Sequence, residues 1–178
     1  VHPLDTELRF KRADGVYRWF HAHAIPIRDR DDRVLKWVGT YTDIHDRKLT
    51  QEVQAKLAAI VESSSDAVMS KSLDGQILSW NRSAELMFGY SSEDIIGQSI
   101  ARIVPPDRRA EESILIEQIK AGIRIQQFES VRTHKDGRVI QVSLTVSPIL
   151  DADGHVVAVS TIARDITERK RAEDTLNQ

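Results

Sequence analysis

Between Ile140 and Ser147 the chain changes character at every step. Ile140, Val142, Leu144 and Val146 alternate with Gln141, Ser143, Thr145 and Ser147. A period of two predicts a strand with one buried face. Upstream, Phe128 to Lys135 runs into the tight-turn dipeptide Asp136-Gly137. Downstream, the turn Asp151-Ala152-Asp153-Gly154 leads into the β-rich run Val156 to Ala163. Two hairpins in series predict an antiparallel three-strand meander.

The pattern occurs twice. Residues 7–48 overlie residues 129–170 without a gap: Glu7 on Glu129, Asp14-Gly15 on Asp136-Gly137, Pro26-Ile27 on Pro148-Ile149. Asp29, Asp31 and Val34 then meet Asp151, Asp153 and Val156, and Asp43-Ile44 and Arg47-Lys48 meet Asp165-Ile166 and Arg169-Lys170. Strand, turn and exit signals share one register, which marks an internal repeat. After each meander the period becomes helical. Leu49, Val53, Leu57, Ile60 and Val61 form one stripe, and Thr167 begins a second helix, with Asp165 and Glu168 spaced as a capping box.

The block between has no counterpart in the first copy. Ala67 to Ser72, the turn Asp74-Gly75 and Gln76 to Trp80 read as a hairpin. Asn81 is placed to cap a short helix through Phe88 that Gly89 closes; Ser91 opens another ending at Gly97. Pro105-Pro106-Asp107 starts a longer helix to Ala121. From residue 65 the order is two strands, several helices and three strands, an α+β arrangement.

Composition narrows the function classes. At 178 residues, 40% apolar and 29% charged, the chain belongs among globular sequences, and its net charge of −2 gives no field that favours nucleic acid or anionic lipid. There is no cysteine, so disulfides, thiolate metal sites and cysteine-linked cofactors are excluded. No apolar run approaches the roughly 18 residues of a membrane span, and no signal-peptide pattern opens the chain, which reads as cytoplasmic. Val1 in place of a methionine reads as a piece of something longer. Gly97-Gln98-Ser99-Ile100-Ala101 misses the nucleophile-elbow pattern at Ala101, and no glycine precedes a lysine as a P-loop requires. The fragment itself reads as non-catalytic.

Several short motifs fall in a specific order: Leu73-Asp74-Gly75, Ser79-Trp80-Asn81, Phe88-Gly89-Tyr90, Ile96-Gly97 and Val104-Pro105-Pro106-Asp107. Lys135-Asp136-Gly137, Ser147-Pro148 and Arg164-Asp165-Ile166-Thr167-Glu168-Arg169-Lys170 follow. In this order they resemble the PAS sensory domain of the S-box type with its PAC motif, common in bacterial sensor histidine kinases. The resemblance covers residues 65–170, and residues 7–48 resemble the last three strands of the same fold. It implies a five-stranded antiparallel sheet with helices on one face, preceded by a three-stranded partial copy and a linker helix. The expected segments are the back half of a first PAS domain over 1–48, a linker helix over 49–64, a complete PAS domain over 65–166 and the start of a signalling helix over 167–178.

The same resemblance implies a role: an input module of a two-component sensor or phosphorelay protein, sensing a small ligand or relaying strain through flanking helices. Those helices would form a homodimer and feed an output domain downstream of Gln178. Alternatives are a ligandless dimerisation and relay module, or the input part of a cyclic-dinucleotide or transcriptional regulator. Haem is disfavoured because 107–121 contains no histidine, and cysteine-linked flavin because there is no thiol. A small organic ligand or none remains.

Strand alternation aims Phe128, Ser130, Arg132, Val142, Leu144, Val159 and Thr161 inward, facing Met69, Phe88, Ile95, Ile96, Ile103 and Ile119 on the opposite wall. These residues either line a pocket or simply fill a core. A buried Arg132 needs an anion, from a ligand carboxylate or from Glu129, unless it reaches the sheet edge. His21 and His23 share a face and could bind metal, but they overlie the polar positions Ser143 and Thr145 and read as a solvated pair. Asp165, Ile166 and Thr167 are the candidate relay residues, where a strand becomes a capped helix. Leu8, Phe10, Trp19, Trp37 and Tyr41 are expected to share one apolar face of the partial copy.

Overall fold

Strands β1 (Leu4–Lys11), β2 (Tyr17–Arg28) and β3 (Val34–Asp43) pair in that order as an antiparallel meander. The computed structural model describes residues 2–176, so residue 1 of the first expected segment and residues 177 and 178 of the last lie outside it. The chain divides into two compact units, Val1–Ala58 and Ala59–Gln178, and helix α1 (His45–Glu62) carries it from one to the other.

In the first unit, Phe10 packs edge-on against Phe20 and Tyr41, with ring centroids 5.4 and 5.3 Å apart. Ala22 is buried behind them, while Phe10, Trp37 and Tyr41 stay substantially exposed. Trp19 departs from the expectation. It pairs with Arg9 across the ladder, which places it on the opposite face, beneath the cations of Arg9 and Lys48. No residue of α1 is buried, and its stripe of Leu49, Val53, Leu57 and Ile60 faces outward.

The second unit starts with β4 (Ala67–Ser72) and β5 (Ile77–Trp80). Helices α2 (Arg82–Phe88) and α3 (Ser92–Ile95), two 3-10 turns and α4 (Arg109–Lys120) follow. Then come β6 (Ile125–Thr133), β7 (Val139–Leu150), β8 (Val156–Asp165) and α5 (Thr167–Leu176). The five strands form one sheet ordered β5-β4-β8-β7-β6, every pairing antiparallel. Its inner face contributes Met69, Val142, Leu144, Val146, Val159 and Ala163; α2, α3 and α4 contribute Phe88, Ile95, Leu115 and Ile119.

Local chemistry fixes the elements. Asn81, almost fully buried, joins three segments. Its Oδ1 accepts from the Ala84 and Val68 amides, both at 2.9 Å, and its Nδ2 donates to the carbonyls of Val61 (2.9 Å) and Asp66 (3.2 Å). Gly89 ends α2 at φ 78°, where an added Cβ would lie 2.4 Å from the His134 ring. In β6, Gln127 has φ 52°, and the register passes from Ile125↔Val146 to Phe128↔Leu144 with one residue to spare, a β-bulge.

The sequence repeat extends to individual hydrogen bonds. Asp14 and Asp136 each accept from the amide two residues on, both at 3.0 Å. Asp29 accepts from Asp31 and Arg33, and Asp151 from Asp153 and His155. The Ile44 amide donates to the Trp19 carbonyl at 3.0 Å as the Ile166 amide donates to Gln141 at 2.9 Å. Each meander thus builds its turns and its exit with the same contacts.

Candidate functional site

Two cations reach the inner face of the five-stranded sheet from strands that are not neighbours. Lys71 stands at the inward end of β4 and Arg132 on β6, and their side chains are each 4% exposed. Both converge on Glu112, in the first turns of α4: Lys71 Nζ pairs with its Oε2, and Arg132 NH2 donates to Oε1 at 2.7 Å. Arg132 NH1 also donates to Ser130 Oγ at 3.0 Å, and Ser130 donates to Glu111 Oε2 at 2.5 Å. Burial pushes the Arg132 guanidinium below its ordinary range, against the pull of Glu112 and Glu111. Burial also presses the Glu111 carboxyl upward, but the Ser130 hydroxyl together with Arg108 and Arg132 brings it below its usual value. The arrangement is a buried, charge-assisted network.

Beside this network lies the Thr161 hydroxyl on β8, buried and without a hydrogen-bond partner among the described residues. The cavity that Lys71, Glu112, Arg132 and Thr161 share with Phe88 and Leu144 measures only about 10 Å³, close to the space of one water. Of the expected pocket residues, Met69, Phe88, Ile103, Arg132, Leu144 and Thr161 line it. Ile119, Ser130, Val142 and Val159 are buried but do not line it, and Phe128 is half-buried. Ile96 does not belong there. It caps the four-residue α3 in extended conformation (φ −61°, ψ 133°) and turns outward, 47% exposed, leaving Ile95 as the buried member of the pair.

The anion beside Arg132 also differs from the expected Glu129. Glu129 points to the other side of the sheet, where its carboxylate holds Arg169 NH2 at 2.5 Å and Lys170 Nζ at 2.6 Å. Hydrogen bonds from Lys170 and Arg169 keep that carboxyl below its usual range. The first copy repeats the clasp: Glu7 pairs with Lys48 and stands 3.9 Å from Arg47. Lys71 and Glu112 were the residues the motif reading missed. Their signals were present, Lys71 sharing the inward parity of Ala67 and Met69, and Glu112 sharing a helix face with Leu115 and Ile119.

The candidate relay residues form the joint between β8 and α5. Asp165 Oδ1 accepts from the Thr167 amide at 2.8 Å, so it closes an Asx turn with Thr167 in place of the expected capping box with Glu168. Ile166 is buried, its amide bound to the Gln141 carbonyl, and Thr167 Oγ1 accepts from the Gln141 amide at 3.1 Å. Helix α5 is therefore fastened to β7 through Gln141 and to β6 through Glu129. Arg164 ties the end of β8 to the chain before β4 through both oxygens of Asp66, at 3.1 and 2.7 Å. An open groove of about 670 Å³ runs over this outer face past Glu129, Arg164, Asp165 and Arg169.

Other chemistry-bearing groups are accounted for locally. His21 Nε2 meets Asp5 Oδ1 at 2.6 Å and His23 Nδ1 lies 3.5 Å from Oδ2, an acidic neighbour the sequence did not reveal, all three well exposed. Asp151, Asp153 and His155 gather on an exposed turn whose Asp151 carboxylate is engaged by the backbone amides. Among the described residues no helix is long and apolar enough to cross a membrane.

Comparison with known proteins agrees with this architecture. Two family models, both described as PAS fold, match residues 61–171 and 1–41. The biofilm dispersion protein BdlA of Pseudomonas aeruginosa is 30% identical over 89% of this chain and 38% of its own. The sensor protein FixL of Bradyrhizobium diazoefficiens is 24% identical over 98% of this chain and 36% of its own. The crystal structure of a PAS domain from Colwellia psychrerythraea, 26% identical, superposes with a TM-score of 0.61 over 65% of this chain and 98% of that one. The chain spans well under half the length of these curated relatives. Five antiparallel strands roofed by short helices, a capped exit helix and two family matches place this chain in the PAS family, as a sensory, non-catalytic module related to the input domains of sensor histidine kinases.

Proposed function

We propose that this chain is the input part of a longer two-component sensor, working in the cytoplasm, in which the state of the second unit is passed through α5 to an output domain such as a histidine kinase. The observation that carries the reading is the joint at Asp165-Ile166-Thr167. A helix fastened at its first turn to β7 and β6 must follow those strands when they shift. The same joint and clasp stand at Asp43-Ile44 and Glu7, which supports two relay steps in series. The exposed apolar stripe of α1 supports pairing with a second copy through the flanking helices.

The stimulus is a small organic ligand bound without a covalent link between α4 and the sheet. A second reading, ligandless dimerisation and strain relay, is favoured by the small size of the enclosed cavity. Input to a cyclic-dinucleotide or transcriptional regulator would use the same joint. Native mass spectrometry and absorption spectra of the purified chain, with light scattering for its mass in solution, test these readings. A dimer retaining a small molecule supports sensing, and an empty dimer supports the relay. A monomer that turns over a nucleotide overturns both.

A further inference from the structure

We propose that Lys71, Arg132 and the Thr161 hydroxyl form a site for a small carboxylate ligand, occupied here by the protein's own Glu112, which the ligand displaces. The inference rests on the sensing reading above and names its ligand class.

The charges point to it first. Two cations with almost no exposure converge on one buried carboxylate, and the second acid, Glu111, stands 4.0 Å from Arg132 while engaged by Arg108 and Ser130. Lys71 lies in the unbroken β4–β8 ladder and Arg132 in the regular stretch Phe128–Thr133 of the β6–β7 ladder, beyond the bulge, so the cationic half of the site is held by the sheet. The carboxylate half is not. It comes from α4, which buries only Leu115 and Ile119 besides Glu112 and follows a 3-10 turn introduced by Pro105 and Pro106.

Thr161 supplies a second, independent pointer. It lies on β8, between the strands that bear the two cations, and lines the same cavity, and its buried hydroxyl has no hydrogen-bond partner among the described residues. Glu112 leaves that hydroxyl unused, whereas a free carboxylate could accept from it and from both cations. The remaining lining, including Phe88, Ile103 and Leu144, suits a short aliphatic tail. With about 10 Å³ free, the ligand enters only as Glu112 leaves, so occupancy and α4 position are linked. A neutral or cationic ligand in place of Glu112 would leave Lys71 unpaired and Arg132 with only the more distant Glu111.

The test is thermal unfolding and calorimetric titration of the 178-residue chain with sodium acetate and sodium butyrate, against sodium chloride at equal ionic strength. Glu112→Ala should melt lower than the wild type in chloride and recover saturably with either carboxylate. It should bind them at least about tenfold more tightly than the wild type, which must first expel its own side chain. Adding Lys71→Met to Glu112→Ala should abolish the response, and adding Thr161→Val should weaken it several-fold. If Glu112→Ala does not fold in chloride, recovery of a cooperative melt in acetate supports the site and its absence overturns it. Equal melting in carboxylate and chloride also overturns it. Native mass spectrometry separates this failure from that of the sensing reading: a retained neutral molecule would sink the carboxylate site and leave sensing intact.

Discussion

Asn81→Ala should be among the most damaging single substitutions in the second unit. The side chain caps α2 through the Ala84 amide, and loss of such a cap costs about 1 kcal/mol. It also satisfies the Val68 amide at the start of β4, and a buried donor left without its acceptor costs about 1–3 kcal/mol. The two carbonyls that lose Nδ2 add less, because the Val61 oxygen keeps the Ser64 amide at 3.3 Å. The expected loss is therefore about 2–4 kcal/mol. Asn81→Asp retains both acceptor bonds but turns an anion toward two carbonyls, and should also destabilise. Asn81→Ser, which can still cap, should fall between wild type and alanine. Urea unfolding followed by tryptophan fluorescence measures this, since Trp80 is adjacent and buried. A loss below about 1 kcal/mol for Asn81→Ala, with an unchanged urea dependence, would refute the hub role, because the cap alone accounts for that much.

Further outcomes follow from the same contacts. Asp165→Ala should cost only about 1 kcal/mol as a lost terminal bond yet uncouple output in the longer sensor, measured by denaturant melts beside an output assay; loss of folding would refute a relay role. Gly89→Ala should destabilise by more than the roughly 1–2 kcal/mol of a left-handed alanine, because its Cβ meets His134, and His134→Ala should recover part of the loss in a double-mutant cycle. Glu129 and Asp66 have carboxyls held below their ordinary values by Lys170 with Arg169 and by Arg164. Their contribution is complete above the usual carboxylate range near pH ~4 and disappears as pH falls through the lowered values. Urea midpoints should therefore drop on acidification below that range, and Asp66→Asn should flatten the drop; an unchanged slope would count against the Asp66–Arg164 pair.

Much of this fold was legible because period and punctuation agree. The alternation at Ile140–Ser147 set the inward residues of β7, and Asp-Gly turns fixed the hairpins on either side. The repeat disclosed the exit joint, because Asp43-Ile44 and Asp165-Ile166 occupy one register. What escaped detection was charge inside the core. Lys71 was visible by parity and Glu112 by helical spacing, but each is read as surface when taken alone, and their meeting depends on how α4 crosses the sheet. Ile96 was misplaced because a four-residue helix has no period to read; its capping conformation decides which isoleucine goes in. Trp19 failed for a different reason, since the pooling of aromatic residues ignored the ladder that pairs it with Arg9.

The surplus residue in β6 has its own consequence. Removing one residue from a strand ordinarily turns everything beyond it inside out. At Gln127 the opposite holds: Ile125 faces Val146 and Phe128 faces Leu144, so a chain shortened by that one residue would lay a single amino acid against Thr145 and run as an unbroken ladder. The matching stretch of β1 already does so, with Asp5 opposite His23. Ile125 and Arg132 would both keep their places indoors, and the left-handed backbone would vanish with the deleted glutamine. This is one point in the sheet where evolution or an engineer can change chain length without paying in orientation.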